Sequence, residues 1–203
     1  SEPDLILLDE PFSALDSYLK WKLEQELLDT LESFVGTTLF VSHSRDEVYR
    51  ICQSVCIINE GTSEPVQTVK QLFDKPNTLS AALLTGCKNY SAARRRNKTE
   101  VEATDWGLVL SFDGQEIPDD LQCIGVRAHY ITFETQAKKN CFPCIVTRAT
   151  EDVFSIILSV VPQGTPMTNA TIRVELSKEA WEYWKQVETI FFHIDTTQVL
   201  FLK

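Results

Sequence analysis

The sequence predicts an α/β domain, a parallel sheet with helices, followed by an all-β domain built as a small barrel or sandwich. Three observations carry this reading. Residues 5–8 are a bare apolar run that stops at two adjacent carboxylates, Asp9 and Glu10. That is the pattern of a buried parallel strand with its working groups at the carboxyl end. A stretch of helical periodicity over residues 15–34 then leads into a second apolar run, residues 37–41. From about Gly86 long periodicity gives way to short alternating segments divided by turn residues, the mark of a small all-β domain.

Each element follows from its residues. Leu15, Leu19, Leu23, Leu27, Leu31 and Phe34 recur at near-helical spacing, widened by Leu28 and Val35, while Lys20, Lys22, Glu24 and Glu26 form a polar face between them. This predicts one amphipathic helix ending at Gly36. A strand over residues 37–41 follows, then a short helix through Ile51 with Ser44 and Glu47 as a capping box. Residues 55–59 predict another strand, turned at Glu60-Gly61. Residues 69–73 and 78–84 predict short helices on either side of Lys75-Pro76-Asn77. Beyond Gly86, strands are expected at 101–103, 108–110, 124–126, 145–146, 156–158, 172–174, 190–192 and 199–201, with one helix at 178–185 capped by Ser177. The change of texture sets a domain boundary near Thr85, giving domains 1–85 and 86–203.

Composition bounds the function. The chain has 203 residues, 43% hydrophobic and 24% charged, which is ordinary globular material. A formal net charge of −10 argues against a nucleic-acid partner, since phosphate-backbone binding needs clustered cations. The one basic cluster, Arg94-Arg95-Arg96-Asn97-Lys98, lies beside no aromatic series and reads as a solvated hairpin end rather than a nucleic-acid contact. No apolar stretch reaches the length needed to span a bilayer. Among the six cysteines, Cys141-Phe142-Pro143-Cys144 has half the spacing of a zinc site, but no second pair or nearby His completes it. Ile145-Val146-Thr147 after it reads as strand, whereas a redox Cys-x-x-Cys opens a helix. Cys52, Cys56, Cys87 and Cys123 sit among apolar residues and read as small buried side chains, all reduced.

Asp9-Glu10-Pro11, Ser13-Ala14-Leu15-Asp16 and Leu39-Phe40-Val41-Ser42-His43 occur in that order. Together they resemble the Walker B strand, D-loop and switch histidine of ABC-transporter ATPases, whose fold is that of P-loop NTPases. Ser42-His43-Ser44-Arg45-Asp46-Glu47, Asn59-Glu60-Gly61 and Leu72-Phe73-Asp74-Lys75-Pro76 are similar to the end of that domain in importers. The family's usual second glycine is missing near Gln67-Thr68. The second part, through Gly125-Val126-Arg127-Ala128-His129-Tyr130-Ile131, resembles the OB-like or MOP-like accessory domain of the molybdate and sulfate importers. Thr85-Gly86-Cys87-Lys88-Asn89, Asp105-Trp106-Gly107 and the run from Ile172 to Ser177 look most like molybdate importers.

The resemblance implies roles. Asp9 would hold Mg²⁺ beside ATP, and Glu10 would orient or deprotonate the attacking water. His43 would contact the γ-phosphate, and the D-loop with Ser13 and Asp16 would reach across a two-fold homodimer. A transmembrane permease would be the partner, placing the protein in the cytoplasm on the inner face of the membrane. Thr85, Lys88 and Asn89 are candidates for a regulatory site for molybdate or tungstate; the alternative is that they are turn residues of a dimerising barrel. The Ser-Ala-Arg-Asn pattern of small molybdate-binding proteins is missing. None of the seven glycines is followed by Lys and no two are adjacent, so neither the phosphate-cradling Gly-x-x-x-x-Gly-Lys-Ser/Thr nor the family's Leu-Ser-Gly-Gly-Gln occurs. The expectation is a carboxyl-terminal piece of an importer ATPase, for molybdate uptake, unable to turn over ATP alone. The competing expectation is an oxyanion-sensing and dimerisation module.

Overall fold

The computed structural model describes residues 3–164 and 171–203, which divide into two compact units between Asp74 and Lys75. The first unit contains strand β1 (Leu5–Asp9), helix α1 (Ser17–Ser33), β2 (Thr37–Val41) and α2 (Arg45–Ile51). Short strands β3 (Ser54–Val55), β4 (Ile58–Asn59), β5 (Thr62–Ser63) and β6 (Gln67–Thr68) and helix α3 (Val69–Asp74) complete it. β1 and β2 pair in parallel, Leu5 with Thr37 through Asp9 with Val41. The strand expected over 55–59 is divided, β3 pairing with β6 and β4 with β5 around a turn at Glu60 and Gly61, both at positive φ. Gln67-Thr68, where the expected glycine is missing, pairs as a strand.

The parallel pair is less buried than its apolar sequence predicts. Leu5, Leu7, Leu39 and Val41 are 50%, 65%, 56% and 48% exposed, while alternate residues on the other face lie half-covered near the buried ring of Phe12. Two strands with one covered face explain it: side chains alternate, and among the described residues nothing lies over the second face. Helix α1 departs from expectation in the same direction. Its leucine stripe is at best half-buried, and the one fully buried residue is Glu24, which the sequence placed on the polar face. Its carboxylate is drawn in by Arg50 of α2, whose Nη2 donates at 2.7 Å and Nε at 3.1 Å.

The second unit begins before the expected boundary. Helix α4 (Leu79–Leu84), capped by the Thr78 hydroxyl, packs with Cys87, Cys123 and Leu202, and Leu79 N–H donates to the Lys203 carbonyl. Strands β7 (Asn89–Arg95), β8 (Glu100–Ala103), β9 (Leu108–Ser111), β10 (Cys123–Val126) and β11 (Ile131–Glu134) follow. After them come β12 (Cys141–Glu151), β13 (Ser155–Pro162), β14 (Ile172–Ser177), helix α5 (Lys178–Trp184), β15 (Ile190–Ile194) and β16 (Leu200–Leu202). They form two five-stranded sheets, β16-β10-β7-β8-β9 and β11-β15-β12-β13-β14. One core joins them through residues such as Leu110, Phe112, Ile124, Val160, Phe192 and Ile194. Strands β7 and β11 were not expected, because Asn89–Arg95 holds no β-branched residue and Ile131–Glu134 is too short to show a period. The basic cluster ends β7 and turns into β8, where Arg94 pairs with Glu102. Gly125 is required by close approach, since a Cβ there would lie 2.9 Å from Cys87 Sγ.

The Asn89 side chain joins the sheets. Its amide donates to the Arg173 carbonyl at 2.8 Å and accepts the Arg173 N–H at 2.7 Å, across to the edge strand β14. Removing it strands two backbone groups at once, and a buried unsatisfied group costs about 1–3 kcal/mol. Asn89→Leu is therefore expected to destabilise the second unit by about 2–4 kcal/mol, read as an earlier urea or thermal midpoint.

All six cysteines are free thiols, and Cys141 and Cys144 lie on strand β12 as expected. Cys56 is exposed rather than buried, its Sγ resting on the Glu64 carbonyl at 3.1 Å. Burial pushes the Cys123 and Cys144 thiols up to about 11. A thiol reagent at neutral pH is expected to modify Cys56 first, with Cys123 and Cys144 slower by about a hundredfold or more until the chain unfolds, because reactivity follows the thiolate.

Candidate functional site

Parallel register sets the site. Asp9 is level with Val41 at the end of the strand pair, so the residues that follow β1 and those that follow β2 emerge together. Glu10 N–H continues the ladder to the Val41 carbonyl at 2.9 Å. Glu10 is then at φ 46°, a left-handed conformation uncommon for a residue with a Cβ. There its Oε1 accepts the backbone N–H of His43 at 2.9 Å and lies 2.7 Å from the ring Nδ1. A carboxylate only accepts, so the ring nitrogen donates. His43 is 79% exposed in its side chain and Glu10 32%, so the pair faces solvent at the strand end.

The remaining candidates are placed differently. The Asp9 side chain is exposed, and its carboxylate enters no ion pair or hydrogen bond among the described residues. Ser13 lies in the turn after β1, its N–H donating to the Glu10 carbonyl at 3.2 Å, with its side chain exposed. Asp16 caps α1: one carboxylate oxygen accepts from the N–H groups of Tyr18 and Leu19, each at 3.0 Å. In the second unit, the Thr85 hydroxyl donates to the Ala81 and Ala82 carbonyls, and its own carbonyl accepts from Arg127 at 2.6 Å. Asn89 is engaged with Arg173 as described. Lys88 is exposed. Thus Glu10 and His43 are brought together, whereas the polar side-chain groups of Thr85 and Asn89 are committed to internal bonds.

Sequence reasoning missed the group behind His43. The expected capping box is not formed, because the Ser44 side chain makes no cap hydrogen bond. Instead the Ser42 hydroxyl donates to Glu47 Oε2 at 2.6 Å and accepts the Ser44 N–H at 3.0 Å. Glu47 is 3% exposed and its other oxygen pairs with Lys20 of α1. One signal was available: acid and base alternate along α1 (Lys20, Glu24) and in reverse along α2 (Glu47, Arg50), at one-turn spacing.

Burial by itself raises the Glu47 carboxyl, but hydrogen bonds from Lys20 and Ser42, the Lys20 charge and Ser44 outweigh it and hold the group below its usual range. A carboxylate depressed in the folded state contributes stability above its unfolded value, and that contribution is lost as pH falls through the folded one. The first unit is therefore expected to weaken on acidification below about pH 4.5. Glu47→Gln is expected to flatten this acid limb and lower stability at neutral pH, read from denaturant midpoints against pH.

No family model matches the chain. Over 84 residues it is 42% identical to the Fe(3+) ions import ATP-binding protein FbpC of Haemophilus influenzae (strain 86-028NP), covering 41% of this chain and 24% of that protein. Over 119 residues it is 34% identical to the spermidine/putrescine import ATP-binding protein PotA of Mycoplasmopsis synoviae (strain 53), covering 59% and 26%. Over 141 residues it is 29% identical to the sn-glycerol-3-phosphate import ATP-binding protein UgpC of Escherichia coli O1:K1 / APEC, covering 68% and 40%. Its relatives are ATP-binding subunits of ABC importers. The chain spans about a quarter to two fifths of the length of these curated relatives. Among solved structures, one of the cytoplasmic molybdate-binding protein ModG is 13% identical with a TM-score of 0.39, covering 56% of this chain and 94% of that one.

Proposed function

We propose that Asp9, Glu10 and His43 are hydrolytic groups of an ATP-driven importer subunit. The observation that carries this is the bridge from one Glu10 oxygen to both the backbone N–H and the ring of His43. An acid turned by a left-handed residue onto a histidine at the open end of parallel strands is placed for a ligand beyond the sheet. Glu10 is the group to take a proton from water, provided a phosphate is held within reach. With Nδ1–H given to Glu10, the neutral ring of His43 presents Nε2 as an acceptor. Donation to a phosphate oxygen then requires either the imidazolium or release of Glu10.

Asp9 suits a hard cation. It is a solvent-facing carboxylate with no internal partner among the described residues, and Mg²⁺ is usually held by one or two carboxylates together with waters and phosphate oxygens. When bound, the ion would neutralise charge on the β- and γ-phosphates. For Asp16 the carboxylate spent on the α1 cap fixes the start of the helix. A reach across a two-fold dimer would fall to the turn around Ser13. A membrane permease as partner and a cytoplasmic location follow from the same reading. For the solute we propose molybdate, supported by the 85–89, 105–107 and 172–177 stretches. The relatives are named for an iron, a polyamine and a glycerol phosphate importer, so their names do not choose between solutes.

In a polypeptide that carries the phosphate loop, Glu10→Gln is expected to lower ATP turnover by about a hundredfold or more while ATP binding persists. Asp9→Asn is expected to weaken Mg²⁺-ATP binding instead. The 203-residue chain, with no Gly-x-x-x-x-Gly-Lys, is expected to show no turnover by itself. Turnover near wild type for Glu10→Gln would remove Glu10 as the base. Molybdate uptake by cells, lost with Glu10→Gln and competed by tungstate, tests the solute separately.

A further inference from the structure

Behind the candidate site, α1 and α2 are joined by two ion pairs of opposite polarity. Lys20 of α1 meets Glu47 of α2, and one turn along Glu24 of α1 meets Arg50 of α2. Both acids are buried, Glu24 at 2% and Glu47 at 3% exposure. Glu24 Oε1 has no partner among the described residues, whereas both oxygens of Glu47 are bound, one by Lys20 and one by the Ser42 hydroxyl.

That second bond reaches the site. Ser42 immediately precedes His43, Ser44 immediately follows it, and both are held by the Ser42 oxygen: it donates to Glu47 and accepts from Ser44 N–H. The backbone on either side of His43 is thus gripped from one carboxylate, and the His43 N–H is left directed at Glu10 Oε1. The partner of that carboxylate, Lys20, lies in the first turn of α1, the helix that Asp16 begins. An exposed histidine has no packing of its own to fix it, so its direction depends on these bonds.

We propose that Glu47 is a positioning residue for His43: through Ser42 it fixes the turn that carries the histidine, and through Lys20 it ties that turn to the helix begun by Asp16. The proposal rests on the assignment of Glu10 and His43 as hydrolytic groups, but its test needs no nucleotide. Amide hydrogen exchange is followed by NMR on the full 203-residue chain, comparing Glu47→Ala, Ser42→Ala and Ser42→Thr with wild type. The readout is the His43 N–H, with the Leu39 and Val41 amides, which face β1 in the parallel ladder, as reference. Glu47→Ala and Ser42→Ala are expected to speed His43 exchange by about tenfold or more, since each deletes a hydrogen bond to a charged group that fixes the turn. The β2 amides are expected to move by less than about twofold, and Ser42→Thr, which keeps the hydroxyl, to restore wild-type exchange. Unchanged His43 exchange overturns the proposal. So does parallel acceleration of His43 and β2, which would make Glu47 a general clasp of the fold. Neither result touches the hydrolysis assignment, which the Glu10→Gln measurement decides.

Discussion

Everything in the candidate site depends on five residues of parallel pairing between Leu5–Asp9 and Thr37–Val41. Parallel strands run in the same direction, so the segments leaving them emerge at one edge, and residues far apart in sequence meet without any long side chain having to reach. Glu10 and His43 are 33 positions apart and touch at 2.7 Å. Slipping the register by one residue would turn Ile6 and Leu8 to the other face and draw Glu10 away from the His43 N–H. The left-handed turn at Glu10 is the second half of this constraint: it stops the strand and swings the carboxylate sideways toward β2.

The two units meet the demands of folding in different ways. The second closes two antiparallel sheets on one apolar core, and an edge strand is stapled internally by Asn89. The first has a small sheet with one open apolar face, and the buried residues of α1 and α2 are charged, Glu24 and Glu47. A hydrophobic core tolerates small shifts of one element against another. Ion pairs with hydrogen bonds on a single geometry do not, so the first unit holds its histidine by polar contacts while the second holds its sheets mainly by packing.

What could be read from the residues follows this difference. Leu5–Asp9, α1, β2 and the strands of the second unit other than β7 and β11 were legible because apolar period is a local signal. The meeting of Glu10 with His43 was legible from chain order and the rule that ligands bind at strand ends. The burial of Glu24 and Glu47 was not, because a surface charge and a buried one look alike until a partner from another element is known. Ser44 illustrates the limit: its spacing from Glu47 satisfied the capping-box pattern, but Ser42 bonds Glu47 instead, a choice made by tertiary packing. Thr85 and Asn89 had the right chemistry for an anion, and the fold uses both groups for its own backbone.

The charge pattern between α1 and α2 also says what those pairs are for. Buried ion pairs add little net stability, and apolar residues of similar size often serve as well or better; Leu23, Leu27 and Leu31 on the same helix show that α1 has such residues. What charge adds is discrimination. Lys20 faces Glu47 and Glu24 faces Arg50. Sliding one helix along the other by a single turn would set Glu24 against Glu47, or Lys20 against Arg50, like charges in a half-dry interface. An apolar seam would accept that slip at small cost. The crossed pairs forbid it, and a slip of one turn, about 5.4 Å, is far more than a 2.7 Å contact between Glu10 and His43 can survive. The register of two helices and the geometry of the strand-end pair are therefore one constraint, transmitted through Glu47 and Ser42.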